Sequence, residues 1–234
     1  MIDPFDKPKP GPMTFDERDT VILCEGFDEC AVLRRLTVDW TRPPKIGKYQ
    51  DGASEAEEIK NLAIQVRTHR VAVLGLVFDA EKGRTAQTAE IKKWLKGAGF
   101  TPPKAPLRLK RCSLDGVLVR TAYLVNPHGK NRGAIESYFL PQICSTKHWP
   151  CIDELLQCYA EHNPTNVLRE KVIVRTFIAH KNGRNTGLNA AFNAKILNCD
   201  GETFDPLRRF LRLLREASPV EQNRKRARRA MNAR

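Results

Sequence analysis

Acidic side chains stand at the places where apolar runs of this chain give way to turns, and their chemistry sets the first question about it. Glu25 follows the run Val21-Ile22-Leu23-Cys24 and precedes Gly26. Glu29 lies one helical turn later, on the side that can face back toward Glu25. Asp79 and Glu81 follow the run Val71–Phe78 and are two residues apart, so in extended backbone both side chains share a face. Glu136 stands three residues after Gly133, in the first turn of a further helical pattern. Five carboxylates gathered at one place repel one another unless a cation lies between them. Hard divalent ions with oxygen ligands, Mg²⁺ or Mn²⁺, meet that need. On a phosphodiester such ions activate water and neutralise the leaving group. Taken singly, each acid also fits a plainer role, as a solvated loop carboxylate or an acid at a helix N-terminus.

The elements that would position these acids are readable in order. Residues 19–24 have the β-branched, apolar character of a buried parallel strand, and Cys30, Leu33 and Leu36 share one face of a helix over 27–37. A short strand is expected at Ile46–Tyr49 and a turn at Asp51-Gly52. Ser54 with Glu57 forms a capping box that opens a helix to about Thr68. Val71–Phe78 is the second buried strand, and a helix over Thr85–Gly97 packs through Ile91, Trp94 and Leu95. Strands near Leu107–Cys112 and Val117–Val125 follow, then a polar loop from Asn126 to Arg132 and a helix at Gly133–Leu140. The remainder reads as helical, at 151–162, 167–180, 186–197 and 205–217. Alternating strands and helices imply an α/β fold: a central, mainly parallel sheet with right-handed crossovers, flanked by helices, plus a helical C-terminal extension. In such sheets ligands bind at the carboxyl ends of the strands, where Glu25 and Asp79 fall.

Composition narrows the partners. The chain has 234 residues, with 40 Lys and Arg against 27 Asp and Glu, a formal charge of +13. That surplus favours a polyanion, most often nucleic acid. Ten Lys and Arg against two Glu lie between Leu207 and Arg234. Seven irregularly spaced cysteines argue for a reducing cytoplasm. The leader, residues 1–16, is rich in proline and lacks the apolar core of a signal peptide. The longest apolar run is too short to span a bilayer, so no membrane partner is expected.

The order of these features carries a resemblance: an apolar strand, Glu-Gly, an acid three residues after the glycine, then a later apolar strand ending in acid-x-acid. It resembles a TOPRIM domain, the catalytic module of type IA and II topoisomerases, primases and several nucleases. The stretch Tyr123–Leu140, with Gly133 followed by Glu136, resembles the corresponding helix of the OLD (overcoming lysogenization defect) nuclease branch and its stand-alone relatives. The likeness covers residues 18–140 and weakens beyond. It implies a Rossmann-like TOPRIM catalytic core at 17–141, a helical extension at 142–217 packed on that core, and a basic tail at 218–234.

By this resemblance Glu25 is general acid/base or metal ligand. Asp79 and Glu81 hold the principal Mg²⁺ or Mn²⁺, and Glu29 and Glu136 complete a second site. A lysine that stabilises the transition state is assigned to Lys195, with Lys181 in reserve. Asp-x-Glu replaces the family's usual Asp-x-Asp, which lengthens one ligand by a methylene. The implied activity is a metal-dependent endonuclease, DNA being the favoured substrate over RNA, acting as the effector of an anti-phage defence system. The chain has no G-x-x-x-x-G-K-[ST], so a separate ATPase partner would supply nucleotide hydrolysis. A homo-oligomer is compatible with the same reading.

Basic residues mark candidate nucleic-acid contacts: Lys130 and Arg132 in the loop before Gly133, Lys181 and Arg184 in a second basic loop, and Arg224, Arg226 and Arg228 in the tail. Cys144, His148, Cys151, Cys158 and His162 invite a zinc reading but match no standard finger spacing. Trp40, Trp94 and Trp149 read as packing residues. The stripe Phe204, Leu207, Leu211 and Leu214 is expected to dock a helix that turns arginines 208, 209, 212 and 215 outward. The alternative to a nuclease is a non-catalytic nucleic-acid-binding or scaffold subunit built on the same fold.

Overall fold

Alternation of apolar side chains on two sheet faces decides the architecture. The computed structural model describes residues 20–48, 54–69, 71–162, 169–183 and 187–219. The strands are β1 (Thr20–Cys24), β2 (Lys45–Lys48), β3 (Val73–Asp79), β4 (Lys110–Leu114) and β5 (Val117–Asn126), in the order β2-β1-β3-β5-β4. The first four positions run parallel; β4 pairs antiparallel with β5. That pair is a hairpin across Asp115 and Gly116, whose φ values of 48° and 84° belong to a tight primed turn. The expected strand at Leu107–Cys112 starts only at Lys110, because Leu107 is left-handed (φ 57°) and breaks the extended run.

On β3, Val73 and Val77 face one core, whereas Leu74, Leu76 and Phe78 face the other. Helices α2 (Glu55–His69) and α3 (Arg84–Gly97) cover the second core. The first core takes α1 (Phe27–Leu36) together with the C-terminal helices α4 (Leu140–Cys144), α5 (Trp149–His162), α6 (Arg169–Asn182), α7 (Leu188–Asn193) and α8 (Asp205–Ala217). Helix α8 lies directly against the sheet: a Cβ on Gly75 would stand 2.6 Å from Leu214 Cδ1 and 3.0 Å from Phe210 Cζ. Arg120 Nη1 donates to Ala217 O over 2.9 Å and fastens the last turn of α8 to β5.

The capping box at Ser54 is formed, with Ser54 N–H donating to Glu57 Oε2 over 3.0 Å and Glu57 N–H to Ser54 Oγ over 3.3 Å. Three local expectations need correction. The segment expected as one helix at Gly133–Leu140 is a 3₁₀ helix, Ile135–Phe139, running into α4. Gly133 at φ 137° holds the chain out of helical geometry, so the turn starts late and tight. Helix α7 stops at Asn193, short of 197, because Lys195 is left-handed (φ 55°). Arg208 does not point away from the protein: it donates to Gly201 O and Cys199 O and pairs with Asp205, holding the turn ahead of α8. Trp40 and Trp149 pack on one core and Trp94 on the other, against Phe78 at 5.5 Å. The leader, the Asp51-Gly52 turn, Arg184 and the tail with Arg224, Arg226 and Arg228 lie outside the described residues. Among the described residues no helix is long and apolar enough to cross a membrane.

Candidate active site

Chain direction creates a crevice between β1 and β3. After β1 the chain crosses to the first core through α1; after β3 it crosses to the second through α3. The two carboxyl ends are therefore left side by side with connections departing on opposite faces, the switch point where ligands bind in open α/β sheets. Register pairs Cys24 with Val77, so Glu25 and Asp79 leave adjacent strands within two residues of each other.

Glu25 is fixed there by two bonds. Its N–H donates to Val77 O over 3.1 Å, and its Oε2 accepts the Asp79 N–H over 2.9 Å. Asp79 Oδ1 in turn accepts the Ile135 N–H over 3.1 Å, which brings the start of the 3₁₀ helix, and with it Glu136, onto the end of β3. Glu29, in the first turn of α1, folds back over Gly26, where a Cβ would lie 2.8 Å from Glu29 Oε2. Glu29, Asp79 and Glu136 are all buried.

Burial and mutual repulsion govern the charge of this group. Burial, then Glu25 and Glu136, push Glu29 from 4.5 up to about 7, against the pull of its own backbone N–H and of Asp79. Asp79 is pushed well above the usual carboxylate range, first by burial and then by Glu29, Glu25 and Glu136. Glu136 is raised too, chiefly by burial. Glu29 and Asp79 act on each other, Asp79 drawing Glu29 down and Glu29 pushing Asp79 up, so the two carboxyls differ in how readily each gives up its proton. Buried Glu136 Oε2 has no hydrogen-bond partner.

Helix α6 supplies counter-charges that spacing along the sequence did not announce. Lys171 Nζ lies 2.5 Å from Glu81 Oε1, and Arg175 pairs with Asp28 in the first turn of α1. Burial works against the Lys171 ammonium, but Glu81, Glu136 and Asp79 outweigh it and hold its pKa above the usual lysine value. The i, i+4 spacing puts Lys171 and Arg175 on one face of α6, flanking its buried Val174 and Ile178. That spacing was a usable signal for a cationic stripe, though not for its partner.

Glu25, Glu29, Asp79 and Glu136 thus meet. Glu81 does not join them on a shared strand face: β3 ends at Asp79, Gly83 N–H closes a turn on Ala80 O, and Glu81 sits exposed at the edge with Lys171. Lys195 is exposed and makes no hydrogen bond or ion pair with any of the acids. Lys181 lies ten residues beyond Lys171 on α6, about 15 Å along the axis, and contacts His148 instead. Lys171, rather than Lys195 or Lys181, is the lysine that stands beside the acids. Among the described residues no three His, Cys, Asp or Glu side chains are arranged as a metal-binding group, the cysteines and histidine of 144–158 included. In the acid cluster, oxygens of Glu25 and Asp79 are engaged by backbone N–H groups.

A basic wall adjoins the acids. Ala80 N–H donates to Asn126 O and Gly133 O, and Arg84 N–H to Asn131 O, so loop 127–133 lies on the end of β3 and the start of α3. Lys130 and Arg132 are exposed on that loop, and Arg84 Nη2 meets His128 Nδ1 at 3.0 Å. Burial, with Arg84 and Arg209 nearby, holds the His128 imidazole below its usual value, so it accepts from Arg84 as the neutral form.

A family model described as "Protein of unknown function (DUF3226)" matches residues 19–216. The chain belongs to the DUF3226 family. No curated protein and no solved structure matches the chain. The DUF3226 match takes in every acid of the cluster, the basic loop, and helices α6 and α8, and it ends before the arginine-rich tail.

Proposed function

We propose that this DUF3226 protein is a metal-dependent nuclease of TOPRIM type, related to the OLD branch, that hydrolyses nucleic-acid phosphodiesters at the β1/β3 crevice. One observation carries the reading: four carboxyl groups from three separate segments, Glu25, Glu29, Asp79 and Glu136, share one strand-end crevice, where burial and mutual repulsion raise Glu29 and Asp79. An all-oxygen donor set suits Mg²⁺ or Mn²⁺, and buried Glu136 Oε2, which makes no hydrogen bond, is an oxygen still open to a ligand bond. These four side chains would hold such an ion. The chemistry it supplies when bound is polarisation of the phosphate and activation of water.

The chain's own residues do the rest. Glu29 and Asp79 hold a proton at the crevice and release it when positive charge arrives. Lys171, held by Glu81, places an ammonium beside the acids where a phosphate oxygen can meet it. Lys130, Arg132 and Arg84 bind flanking phosphates and set the strand's direction across the rim. DNA as the preferred substrate, a separate ATPase and a role in defence belong to the same proposal and rest on the resemblance alone.

Cleavage of a labelled plasmid and of labelled oligonucleotides in Mg²⁺ or Mn²⁺ tests it. Asp79→Asn and Glu25→Gln should each lower the rate by at least about 100-fold, and EDTA should abolish it. Unchanged cleavage by both variants overturns the assignment. A second reading is favoured by Lys171 and Arg175, which pair with Glu81 and Asp28 at the edge and set positive charge against Glu136 without any metal. On that reading the protein binds nucleic acid without cutting it, and binding is salt-sensitive and indifferent to EDTA.

A further inference from the structure

The rim of the crevice carries a pair that the acid site does not use. Phe27, the first residue of α1 and two residues from Glu25, is 61 % exposed and belongs to neither hydrophobic core. Lys48, the last residue of β2, lies with Nζ 4.3 Å from the centre of that ring. Register pairs Lys48 with Cys24, so the lysine stands beside the residue before Glu25. Among the described residues the other exposed large apolar side chains are Val38, Ile64, Leu118 and Leu155. Phe27 is the aromatic one, and it sits at the strand-end crevice.

The sheet sets the geometry of the rim. β2, β1, β3 and β5 run parallel, so Lys48, Glu25, Asp79 and Asn126 all lie at their carboxyl ends. Three strand spacings put about 15 Å between Lys48 and Asn126, long enough for a short run of nucleotide backbone. A flat apolar ring and a cation stand at one end of this line, the carboxylates in the middle, and Arg84 with loop 128–132 at the other end. A backbone laid along it meets positive charge on both sides of the acids. The ring adds something that phosphate contacts cannot, because it offers a face only to a base that has left its own stack.

We propose that Phe27 and Lys48 form a stacking platform for an unpaired base next to the scissile phosphate, and that single-stranded nucleic acid, or an unpaired stretch, is the substrate class. The base lies on the Phe27 ring while Lys48 holds the adjoining phosphate. The platform deepens the nuclease reading, on which its placement beside the scissile bond rests, but binding by the platform does not require cleavage.

Fluorescence anisotropy in EDTA separates the two. The probe is a labelled oligothymidylate of about 16 nucleotides, free or annealed to its complement, titrated with the full chain and with Phe27→Ala, Phe27→Trp and Lys48→Ala. Circular dichroism confirms that each variant is folded. The platform predicts single-strand binding weakened about 5- to 100-fold by Phe27→Ala, kept by Phe27→Trp, and reduced by Lys48→Ala, with duplex binding altered by less than about 2-fold. Equal effects on both probes, no effect of Phe27→Ala, or tighter wild-type binding to duplex overturns the platform. Absence of metal-dependent cleavage by the wild type in a parallel assay would count against the nuclease reading, leaving the anisotropy result to judge the platform.

Discussion

The backbone N–H of Asp79 donates to Glu25 Oε2 over 2.9 Å, so the acid that ends β1 is tied to the acid that ends β3, 54 residues further along the chain. The Asp79 carboxyl then takes the Ile135 N–H, and Glu136 arrives beside it. Sheet register and two hydrogen bonds thus convert a scattered set of acids into one charged crevice.

Gly26 leaves the space into which Glu29 folds, since a Cβ there would meet Glu29 Oε2 at 2.8 Å. The atom it meets is the end of a flexible side chain, and Gly26 has an ordinary extended φ of −136°. Gly26→Ala should therefore swing the Glu29 carboxyl away at little cost in stability. Cleavage should fall by up to about 100-fold, with thermal denaturation nearly unchanged. A normal rate in this variant would remove Glu29 from the working site.

Stability without metal should fall as pH rises. The folded chain holds the Glu29 proton with a pKa of about 7 against 4.5 for the free side chain, so this proton binds the folded state more tightly than the unfolded one. The stabilisation is complete below about pH 4.5 and is lost as pH rises through about 7, a loss on the order of 3 kcal/mol. Melting temperatures in EDTA should decline across that window, and Glu29→Gln should flatten the decline. Mn²⁺ added above about pH 7 should restore stability by binding the folded state. An identical slope for Glu29→Gln would show that its carboxyl is not the proton's site.

Lys171→Met removes the ammonium that faces Glu81, Glu136 and Asp79. The pair with Glu81 is half exposed, so the stability change should stay below about 1 kcal/mol. Titration calorimetry should show tighter Mn²⁺ binding, because a competing cation is gone, while cleavage slows. Weaker Mn²⁺ binding would mean that Lys171 orders the acids rather than competing for them.

Gly133 has φ 137°, and a Cβ there would lie 2.8 Å from Pro127 Cδ and 2.9 Å from Ser137 Oγ. Gly133→Ala should strain the basic loop and the 3₁₀ helix together, costing about 1–3 kcal/mol. Its urea midpoint should fall, and its Mn²⁺ affinity should fall with it because Glu136 moves. Loss of stability with unchanged Mn²⁺ affinity would exclude Glu136 from the ligand set.

Local pattern made much of this fold legible. The buried strands around Ile22 and Leu76 follow from continuous apolar runs covered on both faces, the Ser54–Glu57 cap from its residue types and spacing, and the α8 stripe from a period of 3.6. Glu25, Glu29, Asp79 and Glu136 were legible as acids at element ends, where a packed strand has no use for charge. Glu81 was misplaced because strand alternation was extended two residues past the point where Gly83 closes a turn on Ala80. Lys171 and Arg175 were missed because helix α6 reaches the crevice through tertiary packing on the first core, and nothing in the spacing of two cations names the acids they will meet. Phe27 gave no signal in the sequence, because only its exposure and the neighbouring Lys48 mark it as part of the rim.

Anomalous scattering from a crystal soaked in Mn²⁺ tests the central claim most directly. The expected result is a manganese peak bounded by carboxylate oxygens of Glu25, Asp79 and Glu29 or Glu136. A crevice without manganese at saturating Mn²⁺ and neutral pH would contradict it.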